Sequence, residues 1–243
     1  LIRSIFIPEK DCQWGIFDYS QQEPRLVVHY ANKNGFPGAG KFLDSYQKDN
    51  TTDFHTMVSE IADIPRKQAK TINLGLFYGM GKGKLMSELG VNIEEATELL
   101  QSYHEKVPFV KKLTYDTQGI ANKNGFLTTI QGRRCRFDLW ESELEWGKKA
   151  LPEEEAGREY GKKTIKRAWT YKALNKLIQG SAADQIKTAM IHLHREGYVS
   201  HIQVHDELDF SVASDADKNK IKEIMETCLP KLEVPSKVDV ECG

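Results

Sequence analysis

The sequence predicts an α/β fold of the α+β type, with strand-like runs near both ends of the chain and a long, mainly helical region between them. Three observations carry this. Strand-like runs lie near both ends, with Trp14 and Ile16 leading to Asp18, and with Ile202, Val204, Leu208, Phe210 and Val212 alternating around a turn at His205-Asp206. A dense breaker cluster, Asn32-Lys33-Asn34-Gly35-Phe36-Pro37-Gly38-Ala39-Gly40, marks where the character of the chain changes. Beyond it, successive segments show helical rather than alternating periodicity.

Taken in order, residues 1–31 read as strand, turn, strand and helix, and Pro24 can occupy the first turn of a helix running through Ala31. Helices are expected at 41–48, 52–62, 66–79, 82–89, 92–106 and 108–123. Phe126-Leu127-Thr128-Thr129-Ile130 followed by Gly132-Arg133-Arg134-Cys135-Arg136 reads as a hairpin with a basic rim. From 138 to 167 acidic Glu141, Glu143, Glu145, Glu153, Glu154 and Glu155 give way to Lys162, Lys163, Lys166 and Arg167, a run expected to be a solvated surface. A helix over about 170–196, the hairpin through Val212, an amphipathic helix at 215–229 and a last strand at 232–241 complete the chain. No internal repeat or low-complexity tract appears.

With 243 residues, 40% hydrophobic and 28% charged, the chain has material for one large or two smaller cores. Its 34 Lys and Arg nearly balance 35 Asp and Glu, so a positive binding surface can come only from local segregation of charge. Cys12, Cys135, Cys228 and Cys242 lie far apart, which suggests neither a zinc site nor a disulfide framework and fits a reducing compartment. No apolar run approaches bilayer length, and the expected location is cytoplasmic.

Chemistry concentrates in three places. Arg66, Lys70, Leu74 and Tyr78 recur every fourth residue and share one helical stripe of two cations, an apolar residue and a ring. An ordinary amphipathic helix can carry the same pattern, but Gly75 and Gly79 inside it suggest a close backbone approach, a bend or a ligand. Asp18 and Asp206 each sit at a strand end, where an aspartate is often only a turn former or cap. Carboxylates that hold divalent metal, with cations that hold phosphate, are what nucleotidyl transfer requires. His192 and His194 fall on different faces of a helix and make a poor metal pair, and His29, His104 and His201 stand alone in sequence.

Asp18-Tyr19-Ser20-Gln21-Gln22-Glu23-Pro24-Arg25, the helix Arg66 to Gly79, and Val204-His205-Asp206-Glu207 resemble, in order, three motifs of the family A DNA polymerases. Secondary matches are Asp53-Phe54-His55, Gly132-Arg133-Arg134 and Asn175-Lys176-Leu177-Ile178-Gln179-Gly180-Ser181-Ala182-Ala183-Asp184. The resemblance implies a palm carrying one antiparallel sheet, made from 1–32 and 168–243 and interrupted by mainly helical fingers with an insertion at 33–167, and template-directed addition of deoxynucleotides to a primer 3′-end. It implies that Asp18 and Asp206, with the Tyr19 carbonyl, hold two Mg²⁺ ions, and that Glu207 is accessory to them. By the same likeness His55, Arg66 and Lys70 face the triphosphate of the incoming deoxynucleotide, with Lys70 as the acid for pyrophosphate. Tyr78 stacks near the nascent pair, and Glu23, bonded to Tyr78, excludes a ribose 2′-hydroxyl. Arg133, Asn175, Gln179 and His205 contact primer–template DNA.

The chain departs from the family pattern at Leu74, where an aromatic residue usually meets the sugar, at Gln22 and Pro24, and at Tyr171 in place of an arginine. The insertion around 141–167 resembles phage versions more than the bacterial enzyme, a pointer to viral origin, and the resemblance implies the cytoplasm of a bacterial or phage-infected cell. Thumb and 3′–5′ exonuclease are expected to lie outside this chain, with a separate thumb- or exonuclease-bearing chain as a further partner. The alternative reading is a nucleic-acid-binding fragment that has kept the fold and lost catalysis. An RNA polymerase or reverse transcriptase is a further rival, disfavoured for ribonucleotide use by Glu23.

Overall fold

In the computed structural model, which describes residues 5–145 and 147–243, the strand expected to end at Asp18 is β1, Gln13–Tyr19. Its alternation decides its faces, because Gly15, Phe17 and Tyr19 are buried while Asp18 is exposed. The additional strand expected before it falls partly on residues 1–4, outside the described residues, and residues 6–12 hold a turn and no strand. β1 is followed by α1 (Gln22–Lys33) and α2 (Ala39–Lys48). The later part of the same unit adds β7 (Ile202–Val204), β8 (Glu207–Val212), α10 (Asp215–Thr227) and β9 (Val238–Cys242).

These strands form one antiparallel sheet in the order β7-β8-β1-β9. Strands from the two ends of the chain are therefore neighbours, and β1 runs from Gln13 opposite Val212 to Asp18 opposite Glu207. Phe17 meets Phe210 edge-on with centroids 5.5 Å apart, and burying each such ring stabilises the fold by about 1.5–3 kcal/mol. Gly15 is required by the sheet, since a Cβ there would lie 2.6 Å from Cγ2 of Val212. Leu26, Val27, Val28 and Ala31 of α1 are fully buried. The Tyr19 hydroxyl donates to the Met225 carbonyl at 2.6 Å and ties β1 to α10.

The chain packs as two compact units, the first comprising Leu1–Lys33, Ala39–Phe54 and Ser181–Gly243, the second Asn34–Gly38 and His55–Gly180. The second holds most of α3 (Phe54–Ala62), then α4 (Arg66–Phe77), α5 (Lys82–Leu89), α6 (Ile93–Lys106) and α7 (Pro108–Asn124). The stop signals are local. Asn92 and Glu95 close a reciprocal capping box on α6, Pro108 opens α7, and Gly125 ends it in the left-handed conformation at φ 75°. Ile72, Phe77, Tyr103, Phe109 and Leu113 form its core.

The basic-rimmed hairpin is β2 (Phe126–Thr128) with β3 (Arg134–Arg136). Most charges of the stretch expected to be a solvated surface are exposed, and the same stretch also carries a small antiparallel sheet, with β4 (Leu139–Ser142) between β5 (Leu151–Pro152) and β6 (Ile165–Arg167). A short α8 (Glu153–Ala156) and a π-helical turn, Gly157–Gly161, link its strands. The physical reason is a hidden apolar seam among the charges: Leu151 and Ala156 are buried, and the Arg167 guanidinium lies 4.6 Å from the Trp140 ring centre. A 3₁₀ turn, Thr170–Lys172, then leads into α9, Ala173–Arg195. Among the described residues no helix is long and apolar enough to cross a membrane.

Candidate active site

Sequence spacing leaves open whether Asp18 and Asp206 meet; the sheet sets the turn that carries Asp206 beside the end of β1. His205 takes a left-handed φ of 52° in the turn that enters β8, and the Tyr19 amide donates to the Asp206 carbonyl at 3.2 Å. One residue further, Asp18 is paired in register with Glu207. On the other side of β1, Asp18 faces Asp239, which is held by Lys237. Burial raises the Asp206 carboxyl above the ordinary carboxylate range, neighbouring Glu207 pushes it the same way, and its own backbone and His205 oppose them. A desolvated carboxylate among other carboxylates favours a bound cation. The oxygen-only donor set of Asp18, Asp206 and the Tyr19 carbonyl suits a hard divalent ion, although no group of three or more His, Cys, Asp or Glu side chains is gathered for a metal among the described residues. Tyr19 can contribute only through its backbone, because its side chain is committed to α10 and burial holds its hydroxyl well above its ordinary pKa.

The residues after Asp18 build a clasp. Arg25 donates through Nε to the Ser20 carbonyl at 2.9 Å, through Nη1 to Asn50 Oδ1 and the Pro235 carbonyl, and through Nη2 to the Asn50 carbonyl. Its guanidinium also sits 4.5 Å from the Tyr46 ring centre. Gln22 reaches Gln185 Oε1 at 3.1 Å, and the Gln21 side chain accepts from the Phe54 amide at 2.7 Å. Sequence reading assigns no role to Arg25, although it lies inside the quoted motif. Glu23 stands in the first turn of α1, partly exposed, where a carboxylate is favoured by the helix dipole. His205 is exposed at its turn, and Glu207 is half-buried at the start of β8.

In the second unit, α4 displays its stripe outward. Arg66, Lys70 and Tyr78 are exposed and Leu74 is half-buried, while Ala69, Ile72, Asn73 and Phe77 face the core. Arg66 Nε donates to Thr56 Oγ1 at 3.1 Å. The glycine signal resolves at Gly79, where φ is +68° and a Cβ would lie 2.7 Å from the Tyr171 carbonyl oxygen. A Cβ at Gly75 would press on the Met80 thioether at 3.1 Å. His55 is buried, with Nδ1 2.9 Å from Asn73 Nδ2, and the Tyr103 hydroxyl donates to Asn73 Oδ1 at 2.5 Å. Sequence reasoning misses Asn73 and Tyr103. A lone amide on the apolar face of α4 is the signal that could have found Asn73.

Arg133 Nη2 donates to the Gly180 carbonyl at 2.6 Å, which fastens the hairpin rim to α9. Asn175 and Gln179 stand one turn apart on α9, half-buried and exposed respectively. Among the other histidines, His29 is packed with Nδ1 accepting from the Glu233 amide at 3.2 Å, and His201 stacks on Trp14 at 5.7 Å.

The model for DNA polymerase family A matches residues 1–243. The DNA-directed DNA polymerase of Pseudomonas phage M6 is 38% identical over 282 residues, covering 99% of this chain and 39% of that protein. DNA polymerase I of Bacillus subtilis is 33% identical over 263 residues, covering 100% of this chain and 27% of its own length. Among solved structures, the POL domain of Pol1 from M. smegmatis, in complex with DNA primer-template and dNTP, matches with a TM-score of 0.76 at 28% identity, covering 100% of this chain and 41% of that one. The chain thus spans well under half the length of these relatives.

Proposed function

The chain belongs to DNA polymerase family A, and from that premise we propose that it carries the deoxynucleotidyl-transfer site of a DNA-directed DNA polymerase acting in the cytoplasm of a bacterial or phage-infected cell. The observation that carries the reading is the β1–β8 junction, where the Tyr19 amide bonds to the Asp206 carbonyl and Asp18 pairs with Glu207. We assign the sheet-bearing ends, 1–32 and 168–243, to a palm and the intervening 33–167 to fingers.

In this reading Asp18, Asp206 and the Tyr19 carbonyl hold two Mg²⁺ ions. When bound, such ions make the primer 3′-hydroxyl a better nucleophile and offset the charge of departing pyrophosphate. Arg66 and Lys70, one turn apart on the exposed face of α4, neutralise the triphosphate as charge moves toward the leaving group, and Lys70 delivers the proton that pyrophosphate takes. His55 adds a hydrogen bond to the same phosphates. Tyr78 offers its ring to the nascent base pair, Leu74 an apolar surface to the sugar, and Glu23 blocks a 2′-hydroxyl. Arg133, Asn175, Gln179 and His205 hold primer–template DNA, and a separate thumb- or exonuclease-bearing chain is a further proposed partner. Glu207 supports the metal-holding carboxylates.

The test is primer extension by Asp18→Asn and Asp206→Asn. Each amide preserves size and removes the ionised oxygen, so each variant should lose at least about 10³-fold in rate while its circular dichroism and unfolding midpoint hold. Extension within tenfold of the parent by either variant removes that residue from the metal site.

A further inference from the structure

Three buried side chains of the second unit form a hydrogen-bonded chain from α6 through α4 to α3. Tyr103 and Asn73 are fully buried and His55 nearly so. A phenol hydroxyl in such a place must donate, because a buried donor left unmade is costly. The acceptor it meets is Asn73 Oδ1, at 2.5 Å. Burial also raises the Tyr103 hydroxyl far above its ordinary pKa, so the proton stays on oxygen.

That bond decides which way the Asn73 amide points, a choice that shape alone leaves open. With Oδ1 turned to Tyr103, Nδ2 faces His55 Nδ1 at 2.9 Å. An amide nitrogen only donates, so Nδ1 must accept. A neutral imidazole that accepts at Nδ1 carries its proton on Nε2. The reversed amide would make the Tyr103 hydroxyl an acceptor and strand its proton in the core.

Resting on the reading of His55 as a triphosphate contact, we propose that Tyr103 and Asn73 are positioning residues that hold His55 as the neutral tautomer protonated on Nε2. It then meets the incoming nucleotide as a hydrogen-bond donor. Neither residue touches substrate. Tyr103 sets the amide, the amide sets the tautomer, and the tautomer sets the donor.

The experiment records the ¹⁵N shifts of the His55 ring in histidine-labelled protein, assigned by loss of the signals in His55→Ala, alongside steady-state kinetics for the deoxynucleoside triphosphate. The wild type should show Nδ1 bare and Nε2 protonated. Tyr103→Phe, which keeps the ring and removes the donor, should replace that signature with mixed tautomers. It should also raise KM for the nucleotide about tenfold while kcat stays within about twofold. Asn73→Asp, which puts an acceptor against Nδ1, should move the proton to that nitrogen. A protonated Nδ1 in the wild type, or an unaltered signature in Tyr103→Phe, overturns the proposal. If the signatures behave as expected but His55→Ala leaves KM unchanged, the triphosphate reading fails while the tautomer assignment stands.

Discussion

Asp206 is a side chain whose charge the surrounding fold disfavours. Burial and the adjacent Glu207 both disfavour its charge, so Asp206→Asn should leave the midpoint of chemical denaturation unchanged or raised. Glu23 supports a different prediction. If its carboxylate blocks the ribose 2′-hydroxyl, Glu23→Ala should raise the kcat/KM ratio of ribonucleotide to deoxynucleotide by about one to two orders of magnitude, and an unchanged ratio would retire the steric role. His29 sets a pH dependence of stability. Burial lowers its pKa from the usual 6.5, and its Nδ1 must stay bare to accept from the Glu233 amide. The unfolded chain therefore binds this proton more readily than the folded one. Its contribution is complete above 6.5 and is lost as pH falls through the lowered folded value. His29→Gln, which keeps an acceptor without titrating, should flatten the decline of the urea midpoint below pH 6.5; His104, also lowered by burial, keeps part of the slope.

At the scale of elements, the acidic motif after β1 joins secondary structures as well as supplying a carboxylate. Arg25 on α1 satisfies the carbonyls of Ser20, Asn50 and Pro235 with one planar group, which a lysine cannot reproduce. Arg25→Lys should cost about 2–3 kcal/mol in chemical denaturation and reduce extension by displacing the segment that follows Asp18. A loss below about 0.5 kcal/mol would show the clasp to be dispensable. The same scale explains an element that local reading passes over. Residues 138–167 carry so many charges that alternation is hidden, and β4 to β6 are only two to four residues long. Pairing across β4 and the Arg167–Trp140 contact supply order that no short window of sequence displays.

For the molecule as a whole, a formal charge of -1 gives no general attraction to nucleic acid, so the primer–template binding proposed for it has to come from a few placed cations. Binding should fall steeply with salt, and Arg133→Gln should reduce the slope of log K against log salt by about one while weakening all duplex sequences alike. An unchanged slope in fluorescence anisotropy would take Arg133 out of the phosphate contacts.

Much of this protein is legible in its amino-acid sequence. The three motifs, the helix starts marked by Asn92 and Pro108, the glycine at position 79 and the strand alternation around Asp206 are local patterns, set by backbone sterics and periodicity within a few residues. Such patterns establish the family and the kinds of element. Packing in three dimensions is what puts β1 between β8 and β9, so that the Asp206 turn lies beside the end of β1, and what connects Tyr103, Asn73 and His55 through a buried amide. Strand pairing and buried polar satisfaction join residues far apart in the chain, and which partners meet depends on the packed whole.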